Sequence, residues 1–314
     1  MPEISAEVLA VLARAKKENA IQSNTGMTPA QMRASRAKRP AWLDLEKREM
    51  HSVVDRSIAG KGGALALRIY TPKSAATGGA PVALFFHCGG FMFGNLDSDD
   101  SQCRRIADVS GCIMVSVDYR LAPENKFPGA YEDAITAWDW IVAHAREIGG
   151  DGKRFAVSGA SAGGNLTAGV CRHARDSGGP LPGHQLIYVG AFNVYPLVPS
   201  NQARGEGGSD ASYANMVRDA YRRSEADRDD VRYAPLIATD YKNFPSATLM
   251  LSECDAFVDE GLLYAEKLRG AGVTVEVNIA SGQIHHLFPW AGAFTLGPGV
   301  LDQGALLLRL ALKV

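Results

Sequence analysis

Cysteine is scarce in this sequence: five residues in 314, an odd number, none in a C-x-x-C pair. Cys88, Cys103, Cys112, Cys171 and Cys254 are scattered, and Cys112 and Cys254 adjoin apolar segments. That is the usage of reduced, buried thiols rather than of a secreted disulfide framework. An excess of either charge is also missing, since 33 Lys+Arg against 34 Asp+Glu leave a formal net charge of −1. A nucleic-acid-binding chain usually carries a basic excess, so that class is set aside. No stretch approaches the roughly 18 uncharged apolar residues of a transmembrane helix. Residues 1–20 include Glu3, Glu7 and Glu18, whereas a signal peptide has a basic start and an uncharged apolar run. A cytoplasmic chain with no stable membrane anchor is expected. The sequence also lacks H-E-x-x-H, a P-loop and G-x-G-x-x-G, so no metal and no nucleotide cofactor are expected.

What is present is an ordinary globular balance, 46% hydrophobic and 21% charged. The length allows about two domains, or one large α/β domain with an added piece, and needs no disulfide or metal staple. From Ala64 onward, short apolar runs bounded by Gly, Pro and Asp alternate with longer amphipathic stretches. Leu65–Tyr70, Val82–His87, Cys112–Val117, Phe155–Ser158, Gln185–Val189, Thr248–Ser252 and Val273–Ile279 read as strands. Tyr131–Ile148, Ala162–Ala174, Asp259–Gly270 and Leu301–Leu312 read as helices. Such alternation predicts a mostly parallel central sheet with helices on both faces. Two stretches stand outside it: a charged helical region over 1–50, and a polar insertion over 201–230. Ligand sites of such folds lie beyond the carboxyl ends of the strands, and the two stretches read as one helical cap there. The catalytic domain then occupies 51–200 and 231–314. The polar run Gly205–Asp210 reads as a lid able to admit bulkier substrates.

The residues that carry chemistry begin with Gly159-Ala160-Ser161-Ala162-Gly163, a G-x-S-x-G between a strand and a helix. A serine on so sharp a turn projects its hydroxyl from the top of the sheet, and flanking glycines let strand and helix pass closely. Upstream, His87-Cys88-Gly89-Gly90-Phe91 ends an apolar strand, where backbone N–H groups can donate to an oxyanion. Asp255 and the pair His285-His286 follow later strands, which is the Ser, acid, His order of α/β-hydrolases.

These motifs resemble those of the hormone-sensitive-lipase-like carboxylesterases of the α/β-hydrolase fold, from about Ala64 to His285. His87–Phe91 is similar to the family's H-G-G-G-[FW]. Asp118-Tyr119-Arg120-Leu121-Ala122-Pro123-Glu124 reproduces its D-Y-R-L-A-P-E, Asp255–Gly261 resembles D-P-L-R-D-E-G, and Gly282–His285 resembles G-x-x-H. The resemblance implies Ser161 as nucleophile, His285 as base and Asp255 as its orienting acid. It also implies an oxyanion hole built from the N–H groups of Gly89, Gly90 and Ala162. The family's acid-to-base spacing selects His285 over His286, which is left to the pocket or its rim.

Three departures stand out. Cys88 replaces the first oxyanion-loop Gly, Ala160 an Asp or Thr, and Val258 an Arg. If position 88 needs a positive φ, a Cys there is strained, and a working hole with a thiol-sensitive lip is the expectation. Phe91, Phe93, Tyr195, Tyr213, Met216, His286, Leu287 and Phe288 are candidate pocket residues by position alone.

The implied function is hydrolysis of a small-molecule ester of short to medium acyl chain. An aryl amide, carbamate, lactone or bulky natural ester is the alternative for the same triad. Hormone receptors of this fold bind without turnover and resemble members whose catalytic His is replaced; here all three residues are present. The apolar segment Leu306 to Val314 can cover the sheet or a second subunit, so a homodimer stays open.

Overall fold

The computed structural model describes residues 2–20, 27–193 and 211–314. Its frame is an eight-stranded sheet, composed of β1 (Ser52–Gly60), β2 (Gly63–Thr71), β3 (Ala80–Phe86), β4 (Ile113–Val117), β5 (Gly150–Ala160), β6 (His184–Tyr188), β7 (Ser246–Ser252) and β8 (Val275–Ala280). The strand order is β1-β2-β4-β3-β5-β6-β7-β8. Strands β3 to β8 pair in parallel, while β1 and β2 form an antiparallel hairpin whose β2 pairs antiparallel with β4.

The centre of the sheet shows why these runs become strands. Every residue of β3 is buried. Val82, Leu84 and Phe86 face one apolar cluster and Ala83 and Phe85 face another, the period of two that a pleated strand imposes. The first cluster takes Ala130, Ala134, Ala137 and Trp138 from α4 (Gly129–His144), and Leu166 and Val170 from α5 (Ala162–Asp176). The second takes Cys103 and Ile106 from α3 (Asp100–Ser110), and Leu301, Ala305, Leu308 and Leu312 from α8 (Gly297–Leu312). Leu306 and Leu310 on the far side of α8 stay exposed, so one stripe of the C-terminal helix covers the sheet. Helix α7 (Val258–Gly270) packs on β7 through Tyr264, Ala265 and Leu268.

Two elements depart from the sequence expectation. Strand β1 was not foreseen because most of its residues are not buried, leaving no apolar alternation to read. Helix α3 buries Asp100, Ser101 and Gln102 alongside its apolar face, an inward polar edge that hides the helical stripe.

The N-terminal helices sit beyond the carboxyl ends of the parallel strands. Val8, Val11 and Ala15 of α1 (Ala6–Lys17) pack with Cys254, Ile284, Leu287 and Trp290, residues that follow β7 and β8. From α2 (Pro29–Arg36), Arg33 donates to the carbonyls of Met92 and Ala122, each at 2.7 Å, and pairs with Glu124. Of the polar insertion, α6 (Ala211–Tyr221) is described; Gly205–Asp210 lies outside the described residues.

Two buried histidines tie stability to pH. His87, just past β3, and His184, between Ser246 and Thr248 on β7, are pushed down to about 4 by burial. An unfolded chain protonates them near 6.5. Between those values the unfolded state binds more protons, so stability is full above about pH 6.5 and falls as pH drops toward 4. Each shift is worth on the order of 3 kcal/mol at the acid end. Urea unfolding at pH 7 and pH 4.5 should show the loss, and His184→Gln should remove part of the slope. An unchanged slope in that variant contradicts the assignment.

Candidate active site

Strand β5 ends at Ala160 and α5 begins at Ala162, so Ser161 is the whole corner between them. Its backbone sits at φ 55°, ψ −116°, a left-handed position that costs a non-glycine residue on the order of 1–3 kcal/mol. Hydrogen bonds hold it there. The Ser161 N–H donates to the Tyr188 carbonyl at 3.0 Å, and its carbonyl accepts from Gly164 at 2.9 Å and Ala191 at 3.1 Å. The flanking glycines are steric necessities. A Cβ on Gly159 would lie 2.3 Å from the Gly163 carbonyl oxygen, and one on Gly163 would lie 1.9 Å from that of Phe86.

The Ser161 hydroxyl meets His285, whose Nε2 is 2.8 Å from Oγ. On the other side, His285 Nδ1 is 2.7 Å from Asp255 Oδ2. Asp255 is only 2% exposed, and its Oδ1 accepts the Phe257 N–H at 3.0 Å. With Nδ1–H facing the carboxylate, the Nε2 lone pair faces the serine, an arrangement that can withdraw the hydroxyl proton.

The loops carrying acid and imidazole are laced together. Cys254 N–H donates to the Gln283 carbonyl at 2.8 Å. The Glu253 carboxylate accepts from Gly282 N–H at 2.8 Å and from the Ser281 hydroxyl at 2.6 Å. Ser5, at the start of α1, donates its N–H to the Gly282 carbonyl at 3.0 Å.

Beside the serine runs the loop after β3. Gly89, Gly90 and Phe91 all have positive φ, at 129°, 60° and 58°. A Cβ on Gly89 would lie 2.2 Å from the Phe93 carbonyl oxygen. The Gly89 carbonyl accepts from both Met92 and Phe93, which closes a tight turn. Among the described residues the Gly89 and Gly90 N–H groups have no acceptor. His87, stacked on Tyr119 at 4.0 Å, holds the base of the loop through Nδ1, 2.8 Å from the Cys88 carbonyl.

A family described as alpha/beta hydrolase fold matches residues 83–289. The chain belongs to the hormone-sensitive-lipase-like family of α/β-hydrolases. It is 36% identical over 286 residues to Esterase LipI of Mycobacterium tuberculosis, covering 88% of each chain. It is 34% identical over 242 residues to an ethyl acetate hydrolase of Pseudomonas putida, covering 76% of each. The solved hyperthermophilic esterase from Pyrobaculum calidifontis superposes with a TM-score of 0.89 at 30% identity, over 99% of both chains.

Within this α/β-hydrolase, Cys88 differs from the expectation. It is absent from the positive-φ positions, which begin at Gly89, so the substitution places no strain there. Its N–H donates to Asp99 Oδ2 at 3.0 Å, and its Sγ lies 3.7 Å from Oδ1. Burial, and then the Asp99 charge, push the thiol well above its ordinary range. The residue is half-buried, so it stays partly open to solvent at the loop.

The candidate pocket residues scatter into different roles. Phe91 is buried and stacked on Tyr221 at 3.9 Å, and Phe93 is buried beneath the Arg36 guanidinium at 3.8 Å. Met216 is half-buried against the same cluster. Leu287 packs under α1, and Phe288 packs in the core between Phe85 and Tyr188. His286 stands edge-on to His285 at 6.5 Å and lies against Trp290 at 4.0 Å with the rings tilted by 32°. Tyr195 and the Tyr213 side chain lie outside the described residues.

Sequence reasoning missed Glu253 and Phe257, whose ring stands edge-on to His285 at 5.1 Å. Adjacency to Asp255 was the only available signal for either. Among the described residues, no group of three His, Cys, Asp or Glu side chains is placed to hold a metal, and no helix is long and apolar enough to cross a membrane.

A raised thiol pKa makes Cys88 a poor nucleophile at neutral pH. Iodoacetamide at pH 7.5 should leave Cys88 unmodified in the folded protein and alkylate it in urea, read by peptide mass spectrometry. Rapid modification of the folded protein contradicts that environment.

Proposed function

We propose that the protein is a serine carboxylic ester hydrolase that works through an acyl-enzyme on Ser161. The observation that carries the reading is the unbroken hydrogen-bonded line from Ser161 Oγ through His285 to Asp255. Beside it, the N–H groups of Gly89 and Gly90 face no protein acceptor among the described residues.

The chemistry follows from that arrangement. His285 Nε2 takes the hydroxyl proton as Ser161 attacks the ester carbonyl. Asp255 holds the imidazole tautomer and stabilises the imidazolium that forms. The negative charge on the former carbonyl oxygen is met by the N–H groups of Gly89, Gly90 and Ala162, each donor worth on the order of 3–4 kcal/mol in the transition state. His285 returns the proton to the leaving alcohol, and water repeats the sequence on the acyl-enzyme.

Short- to medium-chain acyl esters are the proposed substrates. The family membership and the ethyl acetate hydrolase among the relatives support that range. Residues 1–50 and 201–230 are proposed as the cap over this site. The packing of α1 and α2 beyond the carboxyl ends of the strands supports its N-terminal part. A cytoplasmic setting is in keeping with five unpaired cysteines. The homodimer is part of the proposal, with Leu306, Leu310 and the edge-strand Ile279 offering exposed apolar surface; light scattering after size exclusion reads it.

Hydrolysis of p-nitrophenyl acetate, butyrate, octanoate and laurate tests the reading. Activity should concentrate on the shorter esters, and Ser161→Ala and His285→Ala should each lower kcat by about 10^4-fold or more. Asp255→Asn should cost on the order of 10^4-fold by releasing the tautomer. A Ser161→Ala variant with wild-type turnover contradicts the mechanism.

A further inference from the structure

The loop that carries the oxyanion donors contains an unusual strain. Phe91 follows Gly90 directly and holds φ 58°, a region that a bulky residue rarely occupies without compensation. Its carbonyl accepts the Ala122 N–H at 2.8 Å, which fixes one side of the residue. On the other side its ring lies face to face with Tyr221, centroids 3.9 Å apart and planes within 4°. Tyr221 ends α6 and is fully buried. Its ring also stacks with Tyr233 at 5.4 Å, and Phe127 stands edge-on to both tyrosines. The Tyr233 carbonyl accepts Asn165 Nδ2 at 3.1 Å, and Asn165 lies in the first turn after Ser161. A column of rings thus runs from the oxyanion loop, through the insertion helix, to the helix behind the nucleophile.

We propose that Tyr221 is a positioning residue. Its stack on Phe91 holds the left-handed backbone that aims the Gly89 and Gly90 N–H groups at the developing oxyanion. The proposal rests on the esterase reading above. The ring carries this role rather than the hydroxyl, which is buried with no hydrogen-bond partner among the described residues. Removing the ring lets the loop relax toward ordinary φ and moves the donors, and misplacement on the order of 1 Å costs about 10^2-fold in rate.

The test compares Tyr221→Leu, Tyr221→Phe and a distant core control, Trp138→Leu, on p-nitrophenyl acetate. A reversible phenylboronic acid serves as the tetrahedral probe. Tyr221→Leu should lower kcat by about 10- to 100-fold with KM changed by less than about threefold, and weaken boronate binding by a similar factor. Tyr221→Phe should stay within about threefold of wild type, and Trp138→Leu should lower Tm without that kcat loss. A folded Tyr221→Leu with wild-type kcat, or a Tyr221→Phe as impaired as Tyr221→Leu, overturns the role. Should Tyr221→Leu fail to fold, Phe91→Leu reads the stack from its other partner, and unchanged boronate affinity there also overturns it. A wild type without esterase activity removes the underlying reading. An active wild type with an indifferent Tyr221 removes only this proposal.

Discussion

The close passage of α5 beneath the end of β3 governs the rest of the site. A Cβ on Gly163 would lie 1.9 Å from the Phe86 carbonyl oxygen, so helix and strand approach as nearly as backbones can. That approach permits a one-residue corner between β5 and α5 and places Ser161 at its tip in a strained conformation. It also sets the start of α5 against the end of β3, where the Gly89–Gly90 loop begins. Packing of the sheet outweighs the local strain because both faces of β3 and β5 are buried under helices. The strain at Ser161 sits in a buried turn, 6% exposed, that carries the serine hydroxyl toward His285.

The remaining parts of the site are placed by loops rather than by regular structure, and each loop is bound to another. Asp255 and His285 follow neighbouring parallel strands, β7 and β8, so sheet register brings them to the same end of the molecule. Register alone does not fix a side chain to hydrogen-bond precision. The Glu253 contacts to Ser281 and Gly282 and the Cys254–Gln283 bond supply the rest. The N-terminal segment adds a further restraint through Ser5 and the apolar face of α1. The segments read from sequence as lying outside the alternating core thus make direct contact with the loops that hold the chemistry.

Much of this was legible in the sequence because it is local. The runs that became β3, β4, β6 and β7 are mostly apolar and bounded by turn residues, and G-x-S-x-G and the two glycines after Cys88 announce backbone geometry that other residues cannot adopt. Strand β1 escaped notice because its residues stay largely outside the core. The pocket residues illustrate the opposite limit. Phe91 and Phe288 look equivalent as apolar neighbours of motifs, yet one stacks on the insertion helix and the other fills the core between Phe85 and Tyr188. Glu253, Phe257 and Tyr221 acquire their significance from partners far away in the chain or across a loop, and composition does not encode that. For Cys88, sequence logic asked the right question, whether φ is positive; the turn begins one residue later, at Gly89.

Covalent trapping of the nucleophile tests the central claim most directly. An activated phosphonate ester should phosphonylate the wild-type protein once, and peptide mass spectrometry should place the adduct on Ser161. Its rate should fall sharply in His285→Ala, because the proton on Oγ then has no acceptor. Modification spread over several surface hydroxyls, or an equal rate without the imidazole, would contradict an activated serine at the β5–α5 corner.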